Sequence, residues 1–121
     1  MRAGTIVICE YINFTGEKHK GLFMVLCDEN NDNSNEGHVN FTAIKITSNL
    51  DMIGNYTVYL DNEENPFFDK PCLASCGKIH TLHKNQIKYV LGTLSANSFK
   101  KVFSTTCKFL FEIARQMLKN V

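Results

Sequence analysis

The chain lacks the sequence devices by which most enzymes hold a cofactor or raise a nucleophile. Its 121 residues contain no glycine-rich phosphate loop, no Gly-x-Ser-x-Gly and no His-Glu-x-x-His. Nucleotide-dependent, serine-hydrolase and zinc-protease chemistry therefore have no support. Long hydrophobic runs are missing as well. Residues 1–11 carry one Arg and a short apolar run broken by Glu10, so neither a secretory signal nor a membrane span is expected there, and the expected location is the cytoplasm. Proline is rare: both prolines, Pro66 and Pro71, fall in one polar stretch, residues 61–71. The five cysteines are an odd number without framework spacing, which reads as reduced thiols rather than a disulfide scaffold.

What is present is an ordinary globular composition, 44% hydrophobic and 21% charged, with nine Phe and four Tyr. A chain of this length makes one domain with a core of its own. The net charge of +1 conceals an asymmetry. Residues 1–77 hold five Lys/Arg against eleven Asp/Glu, a balance of −6, while residues 78–121 hold eight against Glu112 alone, a balance of +7. Part of that excess solvates a helix (Lys100, Lys101, Lys108, Lys119). The cluster Lys78, His80, His83, Lys84 and Lys88 is a candidate surface for a polyanion.

The β-branched, apolar runs at residues 5–11 and 22–27 predict two buried strands joined by a polar loop over 13–21. An Asn/Asp-rich stretch at 28–38 predicts a loop, since it has nothing to bury. Further strands are expected at 39–46, 56–60, 73–76, 79–82 and 87–91. From Ser95, a natural N-cap, the period changes. Phe99, Val102, Phe103, Thr106, Leu110, Ile113, Ala114 and Met117 recur at three and four residues, an apolar stripe expected to pack on the sheet. The expected architecture is a mainly β (α+β) curled antiparallel sheet crossed by a C-terminal helix.

Cys72, Cys76, His80 and His83 are zinc-ligand types at short spacing. In extended chain, Cys72 and His80 would lie about 26 Å apart, so no metal and no cofactor is expected. The groups that remain suit attack of a ribose 2′-hydroxyl on its neighbouring phosphate, which needs an acid/base pair and a cation for the developing charge. His19, His80 and His83 titrate in the useful range. Thr47, Ser48, Lys20 and Lys78 are donors of the right kind.

Taken in order, several segments resemble the MazF/PemK family of bacterial toxins, the ribonuclease halves of toxin–antitoxin pairs. Ala3-Gly-Thr-Ile-Val is similar to the family's Arg-Gly-Asp-Ile-Val opening, and Gly21-Leu-Phe-Met-Val-Leu to its Gly-x-Arg-Pro-x-Leu strand. Ile46-Thr-Ser48 resembles its Ile-Thr-Ser strand end. Lys78-Ile-His-Thr-Leu-His-Lys-Asn-Gln-Ile87 resembles its Gln-Ile-Arg-Thr-Ile-Asp-Lys-x-Arg-Leu segment. Leu91-Gly-Thr-Leu-Ser95 with Phe99-Lys-Lys-Val102 is similar to the close before its last helix.

The resemblance implies an SH3-like small β-barrel with a C-terminal helix, a homodimer, an acidic antitoxin protein as partner, no membrane, and metal-independent cleavage of single-stranded RNA leaving a cyclic phosphate. It carries Thr47 over as a catalytic residue. His80, His83 and His19 are the acid/base candidates beside it, and Lys18, Lys20, Ser48, Ser75, Lys78 and Lys84 the RNA-binding ones. The chain also departs from the pattern. Phe23, or Gly21 if the strand shifts by two, stands where the family has its catalytic arginine, Ser75 and Gly77 stand where a second style has Arg and Asp, and the only arginines are Arg2 and Arg115. Two functions stay open: an endoribonuclease with a remodelled site, or a catalytically inactive module that binds RNA or a protein partner.

Overall fold

The structure is a computed structural model that describes residues 1–28 and 40–120. Most of the Asn/Asp-rich stretch expected as a loop lies outside the described residues. Six strands, β1 (Thr5–Ile12), β2 (Lys18–Asp28), β3 (Asn40–Thr47), β4 (Thr57–Leu60), β5 (Cys72–His83) and β6 (Ile87–Thr93), precede one helix, α1 (Ala96–Lys119). The strands form one sheet in the order β4-β5-β3-β2-β1-β6, antiparallel at every pairing. Its two outermost strands, β4 and β6, are not paired with each other, so the sheet is curled but not closed.

The continuous apolar runs of β1, β2 and β3 follow from a sheet buried on both faces. Side chains alternate along a strand, and here the two sets enter different clusters. Ile6, Met24, Ile44 and Ile46 pack with Val58, Leu60, Phe68 and Val102 under the helix. Val7, Cys9, Phe23, Val25, Phe41 and Ala43 pack on the opposite face with Leu82, flanked by Tyr11 and Ile87. The far half of β5 and the start of β6 therefore close over the second cluster.

Three features differ from the sequence expectation. First, β2 begins at Lys18, so Lys18, His19 and Lys20 are strand residues and not loop. Their partners on β1 are Ile12, Tyr11 and Glu10. The polar turn is confined to residues 13–17, where Asn13 Oδ1 accepts from Thr15 N (3.0 Å) and Glu17 N (2.9 Å). Second, the two short strands expected at 73–76 and 79–82 are one strand. Its ladder to β3 jumps from Lys45↔Ser75 to Ile44↔Ile79, leaving Cys76, Gly77 and Lys78 as a bulge that bends β5 without ending it. Third, only part of the expected stripe of α1 packs: Val102 and Thr106 are buried and Phe99 lies against the core, while the rest of the stripe is more exposed.

Ser95 does cap the helix, accepting from Ser98 N at 3.1 Å. The buried helical residues are Ser98, Val102 and Thr106, with Phe109 set edge-on against Tyr56 at 5.2 Å. Phe103, Leu110, Ile113 and Met117, expected in the core, are 56%, 48%, 40% and 66% exposed. At about 36 Å, α1 outruns its contacts with β4 and β5, and periodicity does not say which of two adjacent apolar rows meets the sheet. Val102→Ala is therefore expected to cost about 2–3 kcal/mol, and Phe103→Ala about 1 kcal/mol or less. Urea melts of the two variants check the ranking. No described helix is long and apolar enough to cross a membrane. All five cysteines are free thiols.

Candidate functional site

The site lies where the second cluster reaches solvent. Strand pairing sets Cys9 opposite Gly21, Tyr11 opposite His19 and Phe23 opposite Lys45, so alternation brings these side chains and Thr47 to one face. Phe23 is 2% exposed. Lys45 lies half-buried above it, with Nζ 4.7 Å from the Phe23 ring centre and 5.5 Å from that of Tyr11. Gly21 makes the room: a Cβ there would stand 3.2 Å from both rings and collide with the Lys45 ammonium. From the end of the β5 bulge onward, Lys78, His80 and Leu82 alternate onto the same side and complete a hollow of about 390 Å³ with Tyr11, Phe23 and Lys45. A second hollow of about 350 Å³ is lined by Ile8, Lys20, Leu22 and Ile46, whose side chains alternate to the face opposite Phe23, and by Gly21, Lys45, Thr47 and Ser48. Lys45 belongs to both.

The electrostatics are one-signed. Burial, and next the charge of Lys78, pull the Lys45 ammonium below the usual lysine range, while Cys9 opposes them weakly. Among the described residues no carboxylate pairs with Lys45. Burial, then Lys45 and Lys78, hold the His80 imidazole below its ordinary value, so the ring is neutral at pH 7 with a nitrogen able to accept a proton. Burial pushes the Cys9 thiol up to about 11, against a lesser pull from Lys45. It is protonated and no nucleophile.

Other candidates are spread more widely. Thr47 ends β3, and its Oγ1 accepts from Asn49 N at 3.1 Å, which leaves the hydroxyl proton to donate into the second hollow. His19 stacks on Tyr11 (centroids 5.9 Å apart) and Phe23 meets His80 edge-on at 5.4 Å, so His19, Tyr11, Phe23 and His80 form one aromatic row. His19 Nε2 lies 2.7 Å from Asn13 Nδ2 and 3.8 Å from a Glu17 carboxylate oxygen, turned toward the 13–17 turn. His83 is outside both hollows. It caps the 3-10 turn Lys84–Gln86, its Nδ1 accepting from Asn85 N (3.0 Å) while its own N–H donates to Gln86 Oε1 (2.7 Å). Lys84 belongs to that turn. Lys18 pairs with Glu10 at 3.8 Å. Ser75 is buried and lines a different hollow, shared with Lys78, near Tyr56 and Gly77.

The zinc arrangement is not assembled. Cys72 and Cys76 are buried among apolar residues, their thiols directed at the carbonyls of Lys70 and of Ala74 and Val102. No group of three His, Cys, Asp or Glu suited to a metal occurs among the described residues. Sequence reasoning missed Lys45, Tyr11 and Phe23 as parts of the site. The signal was present in β3: Phe41, Ala43, Lys45 and Thr47 share a face, and a lysine continues a buried row.

No protein-family model matches the sequence, and no curated protein matches it. Solved structures do. An endoribonuclease from a mycobacterial species, in complex with its cognate antitoxin, superposes with a TM-score of 0.67 at 13% identity, covering 91% of this chain and 94% of its own. The Mycobacterium tuberculosis toxin MazF-mt6 gives 0.61 at 15% identity over 86% and 95%. MazF from the Deinococcus radiodurans MazE–MazF structure gives 0.63 at 13% over 91% and 95%. Six antiparallel strands followed by one helix, matched over nearly the full length of each neighbour, give this chain the fold of the MazF endoribonuclease toxins.

Proposed function

We propose that the protein is the toxin component of a type II toxin–antitoxin pair, an endoribonuclease that cleaves single-stranded RNA in the cytoplasm without a metal ion. The observation that carries this reading is the solvent-open hollow in which two lysines and a neutral histidine meet with no carboxylate among its described lining residues. Such a site attracts a polyanion and offers it a base.

In the reaction, the ribose 2′-oxygen attacks the adjacent phosphorus. The O2′–P bond forms as the P–O5′ bond breaks. Neutral His80 accepts the 2′-hydroxyl proton, the departing 5′-oxygen takes a proton from water, and His80 returns its own to the hydroxide so formed. The products are a 2′,3′-cyclic phosphate and a 5′-hydroxyl. Thr47 donates its hydroxyl to a non-bridging oxygen, and Lys20 and Lys78 hold flanking phosphates as point charges. Loss of one such hydrogen bond to a charged group is worth about 1.5 kcal/mol. Thr47→Ala is therefore expected to lower kcat/KM about 10-fold.

Pairing of two copies would cover the exposed apolar side chains of α1, Phe103, Leu110, Phe111 and Met117, which supports the homodimer. An acidic antitoxin segment that folds across the lysines of the site complements its charge. Purified protein incubated with long single-stranded RNA and a metal chelator tests the reading. Discrete fragments support it. RNA that is bound but stays intact at every concentration of protein would establish the inactive binding module instead.

A further inference from the structure

A lysine on a strand normally extends its ammonium into water. Lys45 does the reverse: it folds back over two aromatic rings, into space that exists only because Gly21 has no side chain. Burial and the nearby charge of Lys78 both oppose a cation there, and no carboxylate among the described residues balances it. The ring faces offset this in part. An anion from solvent would complete the balance, and the solvent-open hollow that Lys45 lines with Tyr11, Phe23, Lys78 and His80 gives it a way in.

We propose that Lys45 is the cation that binds the reacting phosphate, and that Tyr11, Phe23 and Gly21 are positioning residues that fix its ammonium. This rests on the RNA-cleavage reading and names the group that reading lacks. A phosphate on Lys45 has His80 and Lys78 beside it in the hollow that the three line, and Thr47 follows Lys45 on the same face of β3. A single ammonium makes a point contact and leaves the remaining phosphate oxygens to Thr47 and the other lysines. The fixed rings replace the geometric constraint that a planar, forked donor would supply.

Two readouts test this: cleavage rate on single-stranded RNA, and the salt dependence of binding to the same oligonucleotide made with 2′-deoxyribose, which cannot be cleaved by this route. Lys45→Met is expected to lower the rate about 100-fold or more and to reduce the slope of log K against log salt by about 0.7, one phosphate contact. Gly21→Ala keeps the charge and so keeps the slope, yet displaces the ammonium and is expected to cost about 10-fold in rate. Circular dichroism confirms that both variants fold, and Lys45→Met decides the matter should Gly21→Ala not.

Wild-type rate and slope in Lys45→Met overturn the proposal. A reduced slope with an unchanged rate also overturns it, since Lys45 then holds a phosphate other than the reacting one. If wild-type protein cleaves no RNA, the cleavage reading fails by itself. The slope still decides whether Lys45 is a phosphate site, a drop supporting that part and no change removing it.

Discussion

His80→Ala is expected to lower RNA cleavage about 100-fold or more, the usual cost of losing a general base, and to flatten the acid side of the pH–rate profile. In the folded chain, burial and the charges of Lys45 and Lys78 favour the neutral ring. The base form is thus already populated at pH 7. The wild-type rate should hold through neutrality and fall as the pH drops below the ordinary histidine value of about 6.5, where the imidazolium forms. The same sign applies to folding: stability contributed by the neutral ring is complete above that value and is lost as the pH falls through the lowered one. Lys45→Met removes one repelling charge and should shift the acid limb upward. His83→Ala should keep the rate within a few-fold, because His83 is engaged in capping and lies outside both hollows. An acid limb that survives in His80→Ala at wild-type rate would assign the base to another group.

The second large effect concerns stability. Asn65 is fully buried and ties the 61–71 loop to the start of α1. Its Nδ2 donates to the Asp61 carbonyl (2.9 Å) and to Ser98 Oγ (3.0 Å), and its Oδ1 accepts from Ser95 N (2.8 Å). Nearby, the Glu64 carboxylate accepts from Asn97 Nδ2 (2.9 Å) and Ser98 Oγ (3.1 Å), and these bonds hold its carboxyl below the usual range. Asn65→Ala empties the centre of this network and leaves the Ser95 N–H without its partner. Each stranded buried group costs about 1–3 kcal/mol, so a total of about 3 kcal/mol is expected, with a fall in Tm of about 10 °C. A calorimetric midpoint within about 2 °C of wild type would show that the loop and the helix are fixed by packing alone.

Much of the fold was legible in the sequence because its strands are β-branched and its helix is capped by Ser95. The errors arose where local pattern underdetermines tertiary contact. The start of β2 was read as loop because Lys18, His19 and Lys20 are polar, but the strand is extended there by pairing to β1, which no local pattern encodes. The strands expected at 73–76 and 79–82 are one, because the backbone bulges at 76–78 and continues. Of the apolar stripe of α1, Phe99, Val102 and Thr106 meet the core as its period implies, whereas Phe103, Leu110, Ile113 and Met117 do not.

The site followed the same division. His80, Lys78, Lys20 and Thr47 were identifiable by chemistry and by their place in motifs, and they lie around the two hollows. His83 has the same chemistry and is drawn away by the turn it caps. Lys45 was passed over because a lone lysine in a strand is ordinarily a solvated residue. Only the register that places it across from Phe23, with Gly21 beside it, shows that its ammonium is held inward.

The reaction proposed for this face is attack by a 2′-hydroxyl on the neighbouring phosphate. The most direct measurement uses a single-stranded RNA with one mapped cleavage position, compared with the same RNA carrying a 2′-deoxy sugar at that position alone, in the presence of a chelator, with product termini read by mass spectrometry. The expected products are a 2′,3′-cyclic phosphate and a 5′-hydroxyl from the first RNA, with no cut at that position in the second. Cleavage of the deoxy-substituted RNA at the same position, or a 5′-phosphate on the product, would contradict it.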